Sequence, residues 1–221
     1  RPPRSTRKES SAASDVYKRQ KIGRYQDLIE FQLAKQNMQV YNMLNVKYFI
    51  LPGDDDKEQA QQNPDANGNA WFVKEIKYVQ TANEEIKALD SLNTKEVAIL
   101  RDHNSYGFED SLKYNVDTLA TIKLTEYSLN TLSYDSFSNQ NEFAVFSEIY
   151  YEDGWNAYID GELKPHVRVN YILRGIEIPA GNHNIEFKFE PKVIQTGSTI
   201  SLISLALILL IPIGWSLFKY K

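Results

Sequence analysis

Apolar spacing divides the chain into three stretches with different periods. Tyr25, Leu28, Ile29 and Leu33 recur at helical spacing, and the pattern runs loosely on to Val40 and Leu44. It predicts a helix over 25–44. Residues 46–51 (Val-Lys-Tyr-Phe-Ile-Leu) read as a strand stopped by Pro52-Gly53. Residues 54–68 are polar and read as a loop. Residues 71–79 mix aromatic and β-branched side chains and read as one strand. Thr81-x-x-Glu84 predicts a capping box, in which the threonine oxygen and the glutamate carboxylate satisfy two amides at a helix start. Ile86, Leu89 and Leu92 give that helix an apolar stripe, and residues 96–100 read as a short strand. Residues 21–112 therefore read as a small α/β unit.

From about Thr118 the period changes to two. Residues 121–135 alternate, and 142–151 form a continuous apolar run. Residues 155–159 lead into Asp160-Gly161, a hairpin signal because both residues tolerate positive φ. Residues 171–178 follow, and Pro179-Ala180-Gly181 turns the chain. His183, Ile185, Phe187 and Phe189 then alternate with Asn184, Glu186, Lys188 and Glu190, giving one buried and one wet face. Short strands at this spacing predict an antiparallel β-sandwich over 113–192. The fold class is α+β.

The third stretch has no charge from Val193 to Phe218 and is nearly all aliphatic over 202–211. A helix needs about 20 apolar residues to cross a hydrocarbon layer of about 30 Å. Residues 198–219 thus read as one C-terminal transmembrane helix. Pro212 and Gly214 are tolerated in such a span, and Trp215, Lys219 and Tyr220 stand where interfacial anchors belong. Lys188 and Lys192 before the span balance Lys219 and Lys221 after it, so charge bias does not orient the chain.

Residues 1–20 hold six Lys/Arg against two Asp/Glu, lack apolar periodicity, and read as a non-native or disordered head. Residues 10–20 resemble a translated cloning-adapter scar, so the natural start is expected to lie elsewhere. Residues 21–218 hold 17 basic against 27 acidic side chains, which argues against nucleic-acid binding. The absence of cysteine excludes disulfides, thiol nucleophiles and thiolate metal sites.

One group of motifs is familiar. Phe146-Ser147-Glu148-Ile149-Tyr150-Tyr151, Gly154-Trp155-Asn156-Ala157-Tyr158-Ile159-Asp160-Gly161, Val169-Asn170-Tyr171 with Pro179-Ala180-Gly181-Asn182-His183, and Phe187-Lys188-Phe189-Glu190-Pro191 occur in that order before the final span. Together they resemble the C-terminal part of the YfhO-type bacterial membrane proteins. Leu44-Asn45-Val46-Lys47-Tyr48 and Asn69-Ala70-Trp71-Phe72-Val73 resemble an upstream extracytoplasmic segment of the same family. The resemblance implies a fragment of a many-helix protein with a glycosyltransferase-C-like body, acting on envelope glycans or glycolipids with lipid-linked sugar donors. It implies a missing N-terminal transmembrane body as partner. The superfamily's acidic catalytic residue belongs to an early loop that has no counterpart here, so no catalytic residue is carried over and enzyme activity is left open. The expected role is binding or positioning of a glycan near the bilayer. The rival reading is a non-enzymatic, membrane-anchored surface or adhesion protein.

Trp155 with Tyr150, Tyr151 and Tyr158 suits a carbohydrate platform, because aromatic rings match the apolar faces of sugars; the ordinary alternative is sandwich core. Asp160 suits a sugar hydroxyl or a metal, or simply makes its turn. Arg174 shares an apolar strand face with Ile172, Ile176 and Ile178, so it needs a carboxylate, an anionic ligand or a route to water. His183 falls on the apolar side of its strand, as an acid–base group or a hydrogen-bonded core histidine. Asp54-Asp55-Asp56 lacks the spacing of a calcium loop, and His103, His166 and His183 lack zinc spacing. Neither a metal nor a cofactor is expected.

Overall fold

The computed structural model describes residues 23–52, 57–101 and 111–219. The head, Asp54-Asp55-Asp56 and His103 lie outside the described residues. The order is α1 (Gly23–Phe31), a 3-10 turn (Leu33–Lys35), α2 (Met38–Met43), β1 (Tyr48–Pro52), β2 (Glu58–Gln62), β3 (Ala70–Val73), β4 (Glu75–Val79), α3 (Ala82–Ala88), β5 (Val97–Arg101) and β6 (Leu112–Lys113). There follow β7 (Thr121–Tyr127), β8 (Thr131–Ser138), β9 (Glu142–Ile149), β10 (Trp155–Ile159), β11 (Glu162–Lys164), β12 (Val167–Val169), β13 (Leu173–Ile178), β14 (Gly181–Phe189) and α4 (Lys192–Lys219).

The alternation seen in the sequence becomes two sheets face to face. One has the order β11-β10-β14-β8-β7; the other is β3-β9-β13-β12-β5-β4-β6. Leu132, Tyr134, Ala157, Ile159, Ile185 and Phe187 from the first meet Ala144, Phe146, Ile176 and Ile178 from the second. Phe146 packs edge-on against Tyr134 and Phe187, with ring centroids 4.8 and 4.9 Å away. The chain is thus α+β with a sheet sandwich.

The seven-stranded sheet has a second buried face. Phe143, Val145 and Val73 pack with Leu28, Val40, Met43, Ile86 and Leu89 from the helical layer. This explains the continuous apolar run of β9: residues alternate between two faces, and both are covered. The same sheet interleaves β3–β5 from the first half of the chain with β9, β12 and β13 from the second.

Several elements differ from expectation. The helix expected over 25–44 is broken, because Gln36 is left-handed (φ 56°) and Asn37 starts a new helix by accepting the Gln39 amide. The expected loop contains β2, an all-exposed strand that pairs with β1. The strand expected over 71–79 is two strands in separate parts of one sheet, parted at Lys74, whose amide donates to the Glu96 carbonyl. The capping box forms as expected, with Thr81 and Glu84 reciprocally bonded. Asp160 (φ 52°) and Gly161 (φ 80°) make the two-residue turn joining β10 and β11. The turn between β12 and β13 is costlier, since Asn170 (φ 49°) and Tyr171 (φ 74°) are both left-handed. Asn170 holds it by accepting the Ile99 amide and donating its own amide to the Ile99 carbonyl. Glu85 accepts the Tyr171 amide at 3.0 Å.

α4 is the one helix among the described residues long and apolar enough to cross a membrane, and its segment 192–210 is unburied. Leu202, Ile203, Leu205, Leu207 and Ile208 are exposed on all sides of it. Such a helix needs an apolar solvent.

Candidate functional site

β14 ends at Phe189, and α4 begins at Lys192. The end of the sandwich from which the span departs is called its base below. Trp155 opens β10 at this base and pairs across the strands with Phe189. The rings of Trp155 and Tyr151 lie 5.3 and 6.5 Å from that of Phe189, making a run of three. Gly154 leaves room for Phe189, since a Cβ there would stand 2.2 Å from its ring. Tyr151 is exposed, and Trp155 is half-buried.

Arg174 lies behind Trp155, inside the sandwich, and is 2 % exposed. Its guanidinium stands 4.3 Å from the Trp155 ring centre and 5.1 Å from that of Phe187. Its Nε donates to the Ile149 carbonyl at 3.0 Å, whereas Nη1 has no partner among the described residues. A register break explains the local geometry: Leu173 pairs with Ile149 but Arg174 with Phe146, so Ser147 and Glu148 bulge out of β9. Burial lowers the Arg174 pKa to about 10, opposed by the nearby Glu148 carboxylate. Burial likewise raises the pKa of Glu148, and Arg174 partly offsets it.

Two further buried polar atoms here are unpartnered among the described residues, the Tyr134 hydroxyl and the His166 Nε2. Burial, with Arg174 adding, lowers His166 to about 4, so its imidazole is neutral. Burial raises the Tyr134 pKa well above its ordinary value. The base therefore gathers a buried cation and two neutral polar groups behind an aromatic surface.

The sequence-derived candidates separate. Trp155, Tyr151 and Arg174 come together, and Tyr150 is near them, packed on His166. Arg174 makes its direct polar bond to a main-chain carbonyl. Tyr158 points to the outer face of β10, where its hydroxyl donates to Glu190 at 2.7 Å and Lys188 lies over its ring. Asp160 lies at the far end of β10, in contact with His183 at 2.6 Å and the Asn184 amide at 2.9 Å. That contact raises the His183 pKa and lowers that of Asp160. The His183 side chain is largely covered and hydrogen-bonded at the edge of the apolar face. Glu148, Tyr134 and His166 were missed by sequence reasoning. A glutamate following the apolar run 143–146 of β9 was the signal for the first; nothing local marks the others. A groove of about 480 Å³ between α2 and the β1–β2 hairpin, floored by Tyr41 and Phe49, contains none of these residues. Among the described residues no cluster of His, Asp and Glu is suited to a metal.

Residues 108–201 match the family model of the bacterial membrane protein YfhO. The YfhO match takes in β6 to β14 and the start of α4, and with them every residue of the base described above. The helical layer and β3–β5 precede it. The match to a membrane-protein family and the apolar helix both support a membrane location. No curated protein and no solved structure matches the chain.

Proposed function

We propose that the chain is the terminal extracytoplasmic module and last span of a YfhO-type glycosyltransferase, positioning an envelope glycan or lipid-linked sugar beside the bilayer. The observation that carries this reading is the aromatic run Tyr151–Phe189–Trp155 immediately ahead of α4. Flat apolar rings with polar edges suit sugar faces, and holding an acceptor beside a membrane-embedded centre raises its effective concentration there. One face of Trp155 is taken by Arg174, which fixes the indole; Tyr151 offers the open surface. Asp160 and Tyr158 stand apart from this run and belong to the turn and the outer face.

The test uses the complete gene in its host. Tyr151→Ala touches little packing and should lower glycan addition to the envelope several-fold while membrane levels of the protein hold. Trp155→Ala should do the same with some loss of stability. Unchanged glycan addition in both variants refutes the positioning role and favours a surface protein whose aromatics serve as interfacial anchors.

A further inference from the structure

The base carries features that neither the sandwich core nor a glycan platform uses. β7 and β8 are joined there by a tight turn in which the Ser128 amide donates to the Thr131 carbonyl. Its tip, Leu129, is 94 % exposed, and Tyr127 beside it is 68 % exposed. The turn is tied to the strand that feeds the span, because the Phe189 amide donates to the Asn130 carbonyl at 2.8 Å. An exposed leucine alone means little. The residue after this one, Asn130, is hydrogen-bonded to Phe189, three residues before α4 begins.

The charge at this end differs from the rest. The described residues contain four arginines, Arg24, Arg101, Arg168 and Arg174, and all four lie at this end of the two sheets. Arg174 is buried behind Trp155. Two of the others, Arg24 and Arg101, pair with one carboxylate, Glu85, which is wholly buried. Arg24 meets Glu85 at 2.8 Å and Arg101 at 3.9 Å, with side chains 19 % and 30 % exposed. Arg168 stands over the Tyr150 ring at 5.5 Å, within electrostatic reach of Arg24, Arg101 and Glu85. Asp27, bonded to the Tyr171 hydroxyl, and Glu152, near Tyr150, are the other acids close by. Two guanidinium groups share one buried carboxylate with a third nearby, and all three side chains stay partly exposed. Guanidinium forks suit phosphate oxygens, while a carboxylate in their midst holds them together without exhausting them.

We infer that this end of the domain is a second membrane contact, with Leu129 and Tyr127 dipping into the interface and Arg24, Arg101 and Arg168 binding the phosphates of anionic lipid headgroups. The partner follows from continuity. α4 already holds this end against the bilayer, so docking costs no new encounter. Aromatic and apolar tips with basic neighbours are the chemistry of an interfacial site. The domain then lies seated on the membrane instead of swinging on α4. This goes beyond the glycan reading and stands or falls separately from it.

The test is spin-label accessibility on the full chain in nanodiscs. The chain has no cysteine, so L129C and, at the far end, G161C give clean single labels. In discs containing phosphatidylglycerol, the label at 129 should be several-fold more accessible to oxygen than to a nickel chelate, and the label at 161 the reverse. Arg168→Gln leaves the Glu85 ion pairs in place, so the fold persists. It should reduce the docked population about fivefold in phosphatidylglycerol discs, with far less effect in phosphatidylcholine discs. Equal aqueous accessibility at 129 and 161 overturns the proposal and leaves the face for a protein or glycan. Insertion that is indifferent to both Arg168→Gln and lipid charge overturns the phosphate contact.

Discussion

Gly175→Ala probes the most crowded point of the seven-stranded sheet. Gly175 sits inside β13 between Val145 of β9 and Val167 of β12. A Cβ there would stand 2.6 and 2.7 Å from two ring carbons of Phe143 and 3.1 Å from a Val169 methyl. Ordinary carbon contacts are about 3.5–4 Å, so the ring must retreat by about 1 Å. Phe143 is wholly buried and packs against Tyr114, with ring centroids 6.1 Å apart, so it has little room to give. Overpacking of this kind costs about 1–3 kcal/mol. Alanine recovers about 0.4–1 kcal/mol by restricting the unfolded chain. The net expectation is a loss of about 1–2 kcal/mol, which lowers the melting temperature by about 2–8 °C for a domain of this size. Thermal unfolding of the full chain in maltoside micelles, followed by near-ultraviolet circular dichroism, reads it. Phe143→Leu should relieve the clash, so the double variant should melt higher than the sum of the single losses implies. A neutral or stabilising Gly175→Ala, or strictly additive losses, would refute this packing.

Two further expectations rest on single groups. His166 is held neutral with a pKa of about 4; against an unfolded value of about 6.5, the folded state binds fewer protons between those values. Its contribution is therefore complete above about pH 6.5 and is lost as pH falls toward 4, by up to about 3 kcal/mol. A variant His166→Gln should flatten that part of the stability profile, and an unchanged slope would show that His166 is not its source. At the β12–β13 turn, Asn170→Ala removes the acceptor of the Ile99 amide and places alanine at a φ of 49°. It should cost about 2–4 kcal/mol, and Asn170→Gly about 1 kcal/mol less because glycine accepts that φ. Equal losses in denaturant titration would mean that backbone strain is not part of the cost.

Local chemistry was legible where it is set by neighbours in sequence. The Thr81 box, the Asp160-Gly161 hairpin and the charge-free span each follow from a few adjacent residues. The break at Gln36-Asn37 was not, because Tyr25 to Leu44 keeps enough apolar spacing to conceal a left-handed residue. β2 was concealed because Glu-Gln-Ala-Gln-Gln carries no alternation; its strand is made by pairing with β1. The base was legible only in part. Trp155 and Arg174 stood out by residue type, but their meeting depends on a β-bulge opposite Ser147 and Glu148, a matter of register between distant strands. The arginine group is assembled from α1, β5 and β12, far apart in sequence. Asp160 and Tyr158 were close to Trp155 in sequence, yet strand length and alternation carry one to the far end and the other to the outer face.

The proposed function requires that the domain lie outside the cell and that α4 hold it to the membrane. Single cysteines at Gly161 and Leu205, placed in the otherwise cysteine-free chain and treated with a membrane-impermeant maleimide on intact cells, measure this most directly. Labelling at 161 and none at 205, even after the cells are opened without detergent, is the expected result. Protection of 161 until the cells are opened, or ready labelling of 205, would contradict it.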